Sequence, residues 1–135
     1  MWTAETVLVC ALTLLGRTSE SLPPVTFVNA PPAGVSRDAE AFVRTEERRI
    51  YVITSSRMFR QAQNATFRCG ELQALRKLAS VLVHEEWHVK NGSDEAGAYA
   101  AQLVTLAYLG SGPGNPTYYA VSQSKSLVLR GQKGR

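Results

Sequence analysis

One long helical pattern, over residues 70–90, constrains the fold of this chain more than any other feature. Apolar residues recur in it at spacings of three and four, the period of an amphipathic helix. They are Leu72, Leu75, Leu78, Ala79, Leu82 and Val83. No Pro or Gly interrupts the segment between Glu71 and Lys90, and the pair Asn91-Gly92 then favours a stop, because both residue types adopt positive φ. We expect the fold to be built around this helix.

Shorter patterns on both sides of this helix predict the remaining elements. Three runs rich in β-branched or aromatic residues predict strands at 25–29, 41–45 and 49–54, the last two forming an antiparallel hairpin. Further helices are expected from a cap at Ser55 or Ser56 to about Gln63, from a cap at Ser93 to about Leu109, and at 117–129. A few strands followed by helices indicate an α+β domain, with the helices packed on a small sheet.

Length and composition indicate a single globular domain. The chain has 135 residues, of which 44% are hydrophobic and 19% charged, close to the average for such domains. We predict this domain at 22–135. The net charge is +4, but the basic residues are scattered and are not interleaved with aromatic residues. No nucleic-acid partner is therefore expected.

The apolar N-terminal segment has two interpretations. Residues 6–16 read TVLVCALTLLG, which is too short to span a bilayer as a helix, so no stable membrane span is expected. The length fits the core of a signal peptide. We predict that residues 1–21 are a signal peptide or, alternatively, an apolar segment buried in the domain. The first interpretation favours a secreted or cell-envelope location over the cytoplasm.

Two cysteines, Cys10 and Cys69, are present in the chain. They suffice for neither a disulfide framework nor a CxxC metal site, and Cys69 would be alone if the N-terminal segment were removed. We therefore predict no role for Cys69.

The long helix carries the sequence His-Glu-Glu-Trp-His, an HExxH motif at residues 84–88 that includes both histidines of the chain. Because positions four apart lie on one face of a helix, His84 and His88 can point at one metal ion. Imidazole and carboxylate ligands favour zinc. Glu85 lies beside the metal, where it can hold and deprotonate a water molecule. Glu86 must face solvent or pair with a basic side chain.

A third ligand is expected from the acidic residues that follow the motif. Asp94 and Glu95 lie six and seven residues after His88, and the turn at Asn91-Gly92 could bring either carboxylate back to the metal. Asp94 has the spacing of the third ligand in metzincins. Glu95 is the residue type that gluzincins use from a following helix. The spacing alone leaves both residues as candidates.

Residues 95–103, with the sequence EAGAYAAQL, resemble the second metal-binding helix of the ImmA/IrrE-type gluzincins, where a Glu-Ala pair precedes an aromatic residue and small residues. The HExxH helix and this helix together, over 72–110, also resemble small bacterial proteins of the zincin type. The resemblance implies a zinc metallopeptidase acting on peptide or protein substrates. It implies that Glu95 is the third zinc ligand beside His84 and His88, with Glu85 the catalytic base.

Three further residues or segments are candidates for the same site. Tyr99 and Gln102 share a helix face with Glu95, where they either orient the ligands or pack in the core, and Tyr99 could also stabilise an oxyanion. The run at 50–54 is either the strand that receives an extended peptide or an ordinary core strand. The predicted function is zinc-dependent hydrolysis of peptide bonds. The alternative is a non-catalytic, zinc-stabilised binding or regulatory protein.

Overall fold

The computed structural model describes residues 1–133 and confirms the α+β class. In chain order the elements are α1 (Ala4–Leu15), β1 (Val25–Val28), β2 (Ala41–Arg44), β3 (Arg49–Ile53), α2 (Arg57–Gln63), α3 (Leu72–Asn91), α4 (Glu95–Tyr108) and α5 (Pro116–Lys133). The strands and helices predicted after residue 22 are all present, close to their expected bounds. Residues 134–135, the end of the predicted domain, lie outside the described part of the chain.

The three strands form one mixed sheet in the order β1-β3-β2. β2 and β3 pair antiparallel as predicted, with Phe42 opposite Tyr51. β1 pairs parallel to β3, with Val25 opposite Ile50, and this pairing was not predicted. A parallel pair needs a long connection between its strands, and here the hairpin strand β2 lies within that connection.

β3 is the central strand of the sheet. Ile50 and Val52 are fully buried, as expected for β-branched residues that face a core. The prediction that residues 50–54 receive an extended peptide is therefore wrong, because β1 and β2 occupy both edges of β3. The ordinary core strand was the correct alternative, and β1 and β2 are the two edge strands.

α3 is the helix around which the domain is built, as the sequence predicts. Its residues Leu75, Leu78 and Leu82 are buried and recur at helical spacing. α1, α2, α4 and the strands β2 and β3 all contact it. A helix of this length, 20 residues, can carry two separate packing faces and still present a third to a functional site.

The N-terminal segment forms α1, which packs on α3. Its residues Val7, Ala11 and Leu12 are buried in the core, and Gly16 ends the helix in the left-handed conformation. These are the contacts expected of an apolar segment buried in the domain. The alternative, that residues 1–21 are a signal peptide, stays a prediction. None of the helices within residues 1–133 is both long and apolar enough to cross a membrane.

Cys10 and Cys69 form a disulfide, so the prediction of no role for Cys69 is wrong. Cys10 lies on the buried face of α1, and Cys69 lies shortly before α3 begins. Their Cα atoms are 5.4 Å apart, although 59 positions separate them in the chain. This pairing depends on the packing of α1 against α3, a tertiary contact that the local sequence pattern does not encode.

Glu86, the charged residue inside the motif, is buried and pairs with Arg17 at the end of α1. The Nη1 and Nη2 atoms of Arg17 donate to its two carboxylate oxygens at 2.7 and 2.5 Å. Lys90 Nζ lies 3.4 Å from the same carboxylate. The hydrogen bonds from Arg17 hold the pKa of Glu86 below its usual range. A bidentate pair of this kind offsets the cost of burying a carboxylate and joins α1 to α3.

We expect the variant Cys10→Ser/Cys69→Ser to lose about 4 kcal/mol of its free energy of unfolding, because the disulfide closes a long loop and so restricts the unfolded chain. Urea denaturation followed by circular dichroism compares the variant with the oxidised wild type. Thiol titration of the denatured wild type, without reductant, should find no free thiol. Two free thiols, or an unchanged free energy of unfolding, would contradict the pairing.

Candidate metal centre

Three side chains of metal-ligand type converge where α3 meets α4. His84 and His88 lie one turn apart on α3, and Glu95 is the first residue of α4. One ligand atom from each lies within 4.8 Å of the other two. Glu95 Oε1 is 3.4 Å from His84 Nε2 and in direct contact with His88 Nε2. The structure thus brings together both histidines of the motif and one of the two acidic candidates.

The donor set fits a zinc ion, and so does the separation of one pair of its atoms, whereas Glu95 Oε1 and His88 Nε2 lie closer together than two zinc ligands do. Bonds of about 2.0–2.2 Å in a tetrahedral arrangement place neighbouring ligand atoms roughly 3.3 Å apart. The separation of 3.4 Å between His84 Nε2 and Glu95 Oε1 is close to this value. Two imidazole nitrogens and one carboxylate oxygen also leave one tetrahedral position for water or substrate.

Asp94, the other acidic candidate, has a different position. It is the N-cap of α4, and its carboxylate accepts a hydrogen bond of 3.1 Å from the backbone N–H of Ala96. This satisfies one of the unpaired donors at the helix start. The predicted cap, Ser93, is therefore one residue too early. Asp94 is exposed and lies outside the cluster of His84, His88 and Glu95.

A buried chain of hydrogen bonds fixes the ring of His84. Its Nδ1 donates to Gln102 Oε1 at 2.8 Å, and Gln102 Nε2 donates to Ser80 Oγ at 3.3 Å. Ser80 Oγ in turn donates to the Lys77 carbonyl at 2.7 Å. With the hydrogen on Nδ1, the lone pair of Nε2 points at the cluster. Gln102 was among the predicted candidates. Ser80 was not, although its position one turn before His84 is a usable signal.

The turn between the helices fixes the ring of His88. The Gly92 carbonyl accepts a hydrogen bond of 2.7 Å from His88 Nδ1, so the Nε2 lone pair of this ring also points at the cluster. Gly92 has a φ of 90°, a conformation that L side chains rarely adopt. The residue therefore ends α3 and also supplies an acceptor, and only the turn was predicted for it.

The contacts between Glu95 and the two imidazole rings shift pKa values within the cluster. Contacts with the ring nitrogens of His84 and His88 lower the pKa of Glu95 to about 2, so its carboxylate is ionised at neutral pH. The same contact with Glu95 raises the pKa of His88. An anionic oxygen beside two ring nitrogens is a set of donor atoms for which a divalent cation competes with protons.

Glu85 lies beside the cluster without joining it. Its side chain is largely buried, with 8% of the residue exposed, and its Oε1 is 3.9 Å from His84 Nε2. Burial raises the pKa of Glu85, although the two nearby histidines partly oppose this. A carboxylate whose pKa is moved toward neutrality is suited to accept a proton and then to release it.

Tyr99 lies one turn after Glu95 and contacts the cluster through its ring. The ring packs edge-on against that of His84, with centroids 4.6 Å apart. Burial, together with the negative charges of Glu95 and Glu85, raises the pKa of Tyr99, so its hydroxyl keeps its proton at neutral pH. The side chain thus packs against a candidate ligand and lines the cleft over the cluster.

Gly97 allows α4 to approach α3 closely. A Cβ atom at this position would overlap the six-membered ring of Trp87, which packs directly on the glycine backbone. The adjacent Ala98 is fully buried. The two small residues therefore set the spacing of the helices, and with it the distance from Glu95 to His84. The need for glycine at position 97 was not predicted from the sequence.

A cleft of about 490 Å³ opens over the cluster. Its floor contains His84, Glu85, Glu95, Tyr99 and Gln102. One wall is the segment 36–41, which leads into β2, and the other is α5. A larger cavity of about 700 Å³ lies beside α2, but none of the cluster residues lines it. The cleft over the cluster is thus the concave site where candidate ligands and perturbed carboxyl groups coincide.

Comparisons with protein-family models, with curated proteins and with solved structures find no match for this chain. The fold and the cluster define a small α+β domain with a candidate metal centre. The functional proposal therefore depends on the geometry of this centre.

We expect Gly97→Ala to lower the free energy of unfolding by about 1–3 kcal/mol, because the new methyl group forces Trp87 and α4 away from α3. Thermal and urea denaturation measure the change. Gly131→Ala is the matched control, since it lies in helix α5 with open space around it and should be neutral or slightly stabilising. Equal effects of the two substitutions would contradict the proposed role of Gly97.

Proposed function

We propose that this chain is a zinc-dependent peptidase of the zincin type. His84, His88 and Glu95 hold the zinc ion, and Glu85 is the catalytic base. The observation that carries the proposal is the convergence of these three ligand atoms, all within 4.8 Å of one another, at a cleft that Glu85 also faces. Two histidines and a glutamate beside a further glutamate form a ligand set that hydrolytic zinc sites use.

Zinc held by these residues would polarise the scissile carbonyl and lower the pKa of a water molecule at the open position. Glu85 accepts a proton from the attacking water and delivers it to the leaving amide nitrogen. The net reaction adds water across the C–N bond and yields a carboxylic acid and an amine. Tyr99 is placed to donate its hydroxyl proton in a hydrogen bond to the carbonyl oxygen as negative charge develops there.

The free edge of β2 supports a peptide as the substrate. In the antiparallel register, Phe42 and Tyr51 exchange hydrogen bonds, whereas Ala41 and Val43 turn their backbone groups away from β3. Within residues 1–133 no further strand pairs with that outer edge. Ala41 also lines the cleft. An extended peptide could therefore add to β2 with its backbone beside the metal.

Ligand number favours catalysis over the alternative of a non-catalytic, zinc-stabilised binding protein. Structural zinc sites are closed by four protein ligands, whereas catalytic sites have three and an open position. Within the described residues the candidate group has three members. Glu85, a buried carboxylate beside the group with a raised pKa, has no evident use in a purely structural site.

The disulfide supports the proposal of a secreted or cell-envelope location. Disulfides persist in oxidising compartments and are uncommon in the cytosol of most organisms. The pairing of Cys10 with Cys69 requires α1 to stay in the folded domain, which makes the buried segment the interpretation of residues 1–21 that we favour.

We expect Glu85→Gln to retain about one zinc ion per chain while kcat falls by roughly 10²–10⁴-fold, because the ligands remain and the base is lost. Mass spectrometry of a mixed pool of unstructured peptides measures hydrolysis, and elemental analysis measures zinc. Asp94→Asn is the matched control, since it exchanges a carboxylate for an amide outside the cluster and can still cap α4.

Two outcomes would contradict the peptidase mechanism. Full turnover by Glu85→Gln would remove Glu85 as the base. A zinc-loaded wild type that cleaves none of the peptides would favour the non-catalytic binding or regulatory protein.

A further inference from the structure

α5 presents an apolar stripe to the cleft over the metal centre. Five of its residues line this cleft: Ala120, Val121, Ser124, Leu127 and Val128. Their spacing places them on one side of the helix, over a little more than two turns. All five side chains are small or aliphatic, and none is charged or aromatic. We refer to these five residues as the α5 stripe.

The opposite wall of the cleft is polar and holds the backbone edge of β2. Lys77 Nζ pairs with Glu40 Oε2 at 2.9 Å, so the charge of Glu40 is already matched within the protein. Ala41 exposes its backbone groups along the same wall. A peptide between the two walls would have its main chain at β2 and a side chain against the α5 stripe.

The α5 stripe lacks cover from the rest of the domain in its second half. α5 packs mainly on α4, and its cleft side faces open space over the metal centre. Leu127 is 62% exposed, although it is aliphatic and lines a concave site. An aliphatic ligand group placed there removes apolar surface from water, whereas a charged group would lose hydration without gaining an ion-pair partner within the α5 stripe.

We propose that the α5 stripe makes this site selective for peptides with an aliphatic side chain next to the scissile bond. The inference rests on the proposed peptidase function and adds its substrate class. Hydrophobic pockets commonly discriminate by about 10- to 200-fold between side chains that fill them and side chains that do not. Leu127 and Val128 are the specificity-determining residues. They select the substrate side chain and have no part in the chemical step.

Cleavage mapping tests the preference. Zinc-loaded wild type is incubated with a peptide pool in which every residue type is equally frequent, and the cut sites are read by mass spectrometry. We expect Leu, Ile and Val to be enriched at one position beside the cut by about tenfold or more over Lys and Asp. Cleavage without such enrichment would overturn the α5 stripe as the selective surface while leaving the peptidase function intact.

Two charge variants locate the preference on the stripe. Leu127→Lys should abolish the aliphatic enrichment and shift it toward Asp and Glu. Tyr119→Lys is the matched control, because Tyr119 lies on the same helix, is 65% exposed and does not line the cleft. It should leave the enrichment unchanged. Unchanged enrichment in Leu127→Lys would also overturn the inference.

Binding provides a readout that does not need turnover. Fluorescein-labelled peptides of sequence Ala-Ala-Ala-X-Ala-Ala, with X as Leu, Lys or Asp, are titrated with zinc-loaded Glu85→Gln and followed by anisotropy. We expect the Leu peptide to bind about tenfold more tightly than the other two, and Leu127→Lys to remove this difference. Equal binding of the three peptides would contradict the α5 stripe. If wild type cleaves nothing, the peptidase proposal fails, and this binding result still decides the role of the stripe.

Discussion

The close packing of α4 on α3 is the interaction on which the candidate site depends. Two candidate ligands lie on one helix and the third on the next, so the geometry of the candidate metal centre is set by how the helices pack. Trp87 lies directly on Gly97, and this contact requires the absence of a side chain on the glycine. The same approach brings Glu95 to His88 and Gln102 to His84. The two helices therefore form one preorganised unit.

Buried polar groups around this unit are matched by specific partners. The Nδ1 atoms of the two histidines donate to Gln102 and to the Gly92 carbonyl, which leaves both Nε2 atoms free for a metal. On another side of α3, Arg17 neutralises Glu86 and connects the turn of the motif to α1. The N-terminal segment, tied further by its disulfide, thus supports the helix that carries His84 and His88.

Sequence patterns predicted the parts of the fold that depend on local periodicity. The bounds of α3, the hairpin and the turn before α4 follow from apolar spacing and from residue types that favour turns, and the class was therefore predicted correctly. The parallel pairing of β1, the disulfide of Cys10 and the need for Gly97 depend on contacts between distant residues, which periodicity does not encode. In the site, the HExxH motif identified His84 and His88 directly. Spacing alone could not distinguish Glu95 from Asp94 as the third candidate ligand, because their positions depend on where α4 begins.

Anomalous X-ray diffraction at the zinc edge, from crystals of the zinc-loaded protein, would locate the ion and so test the metal centre most directly. We expect one anomalous peak about 2.0–2.2 Å from His84 Nε2, His88 Nε2 and a carboxylate oxygen of Glu95. A peak coordinated by Asp94 in place of Glu95, or zinc bound away from both histidines, would contradict the proposed centre. Crystals of protein reconstituted with zinc that show no peak would contradict it as well.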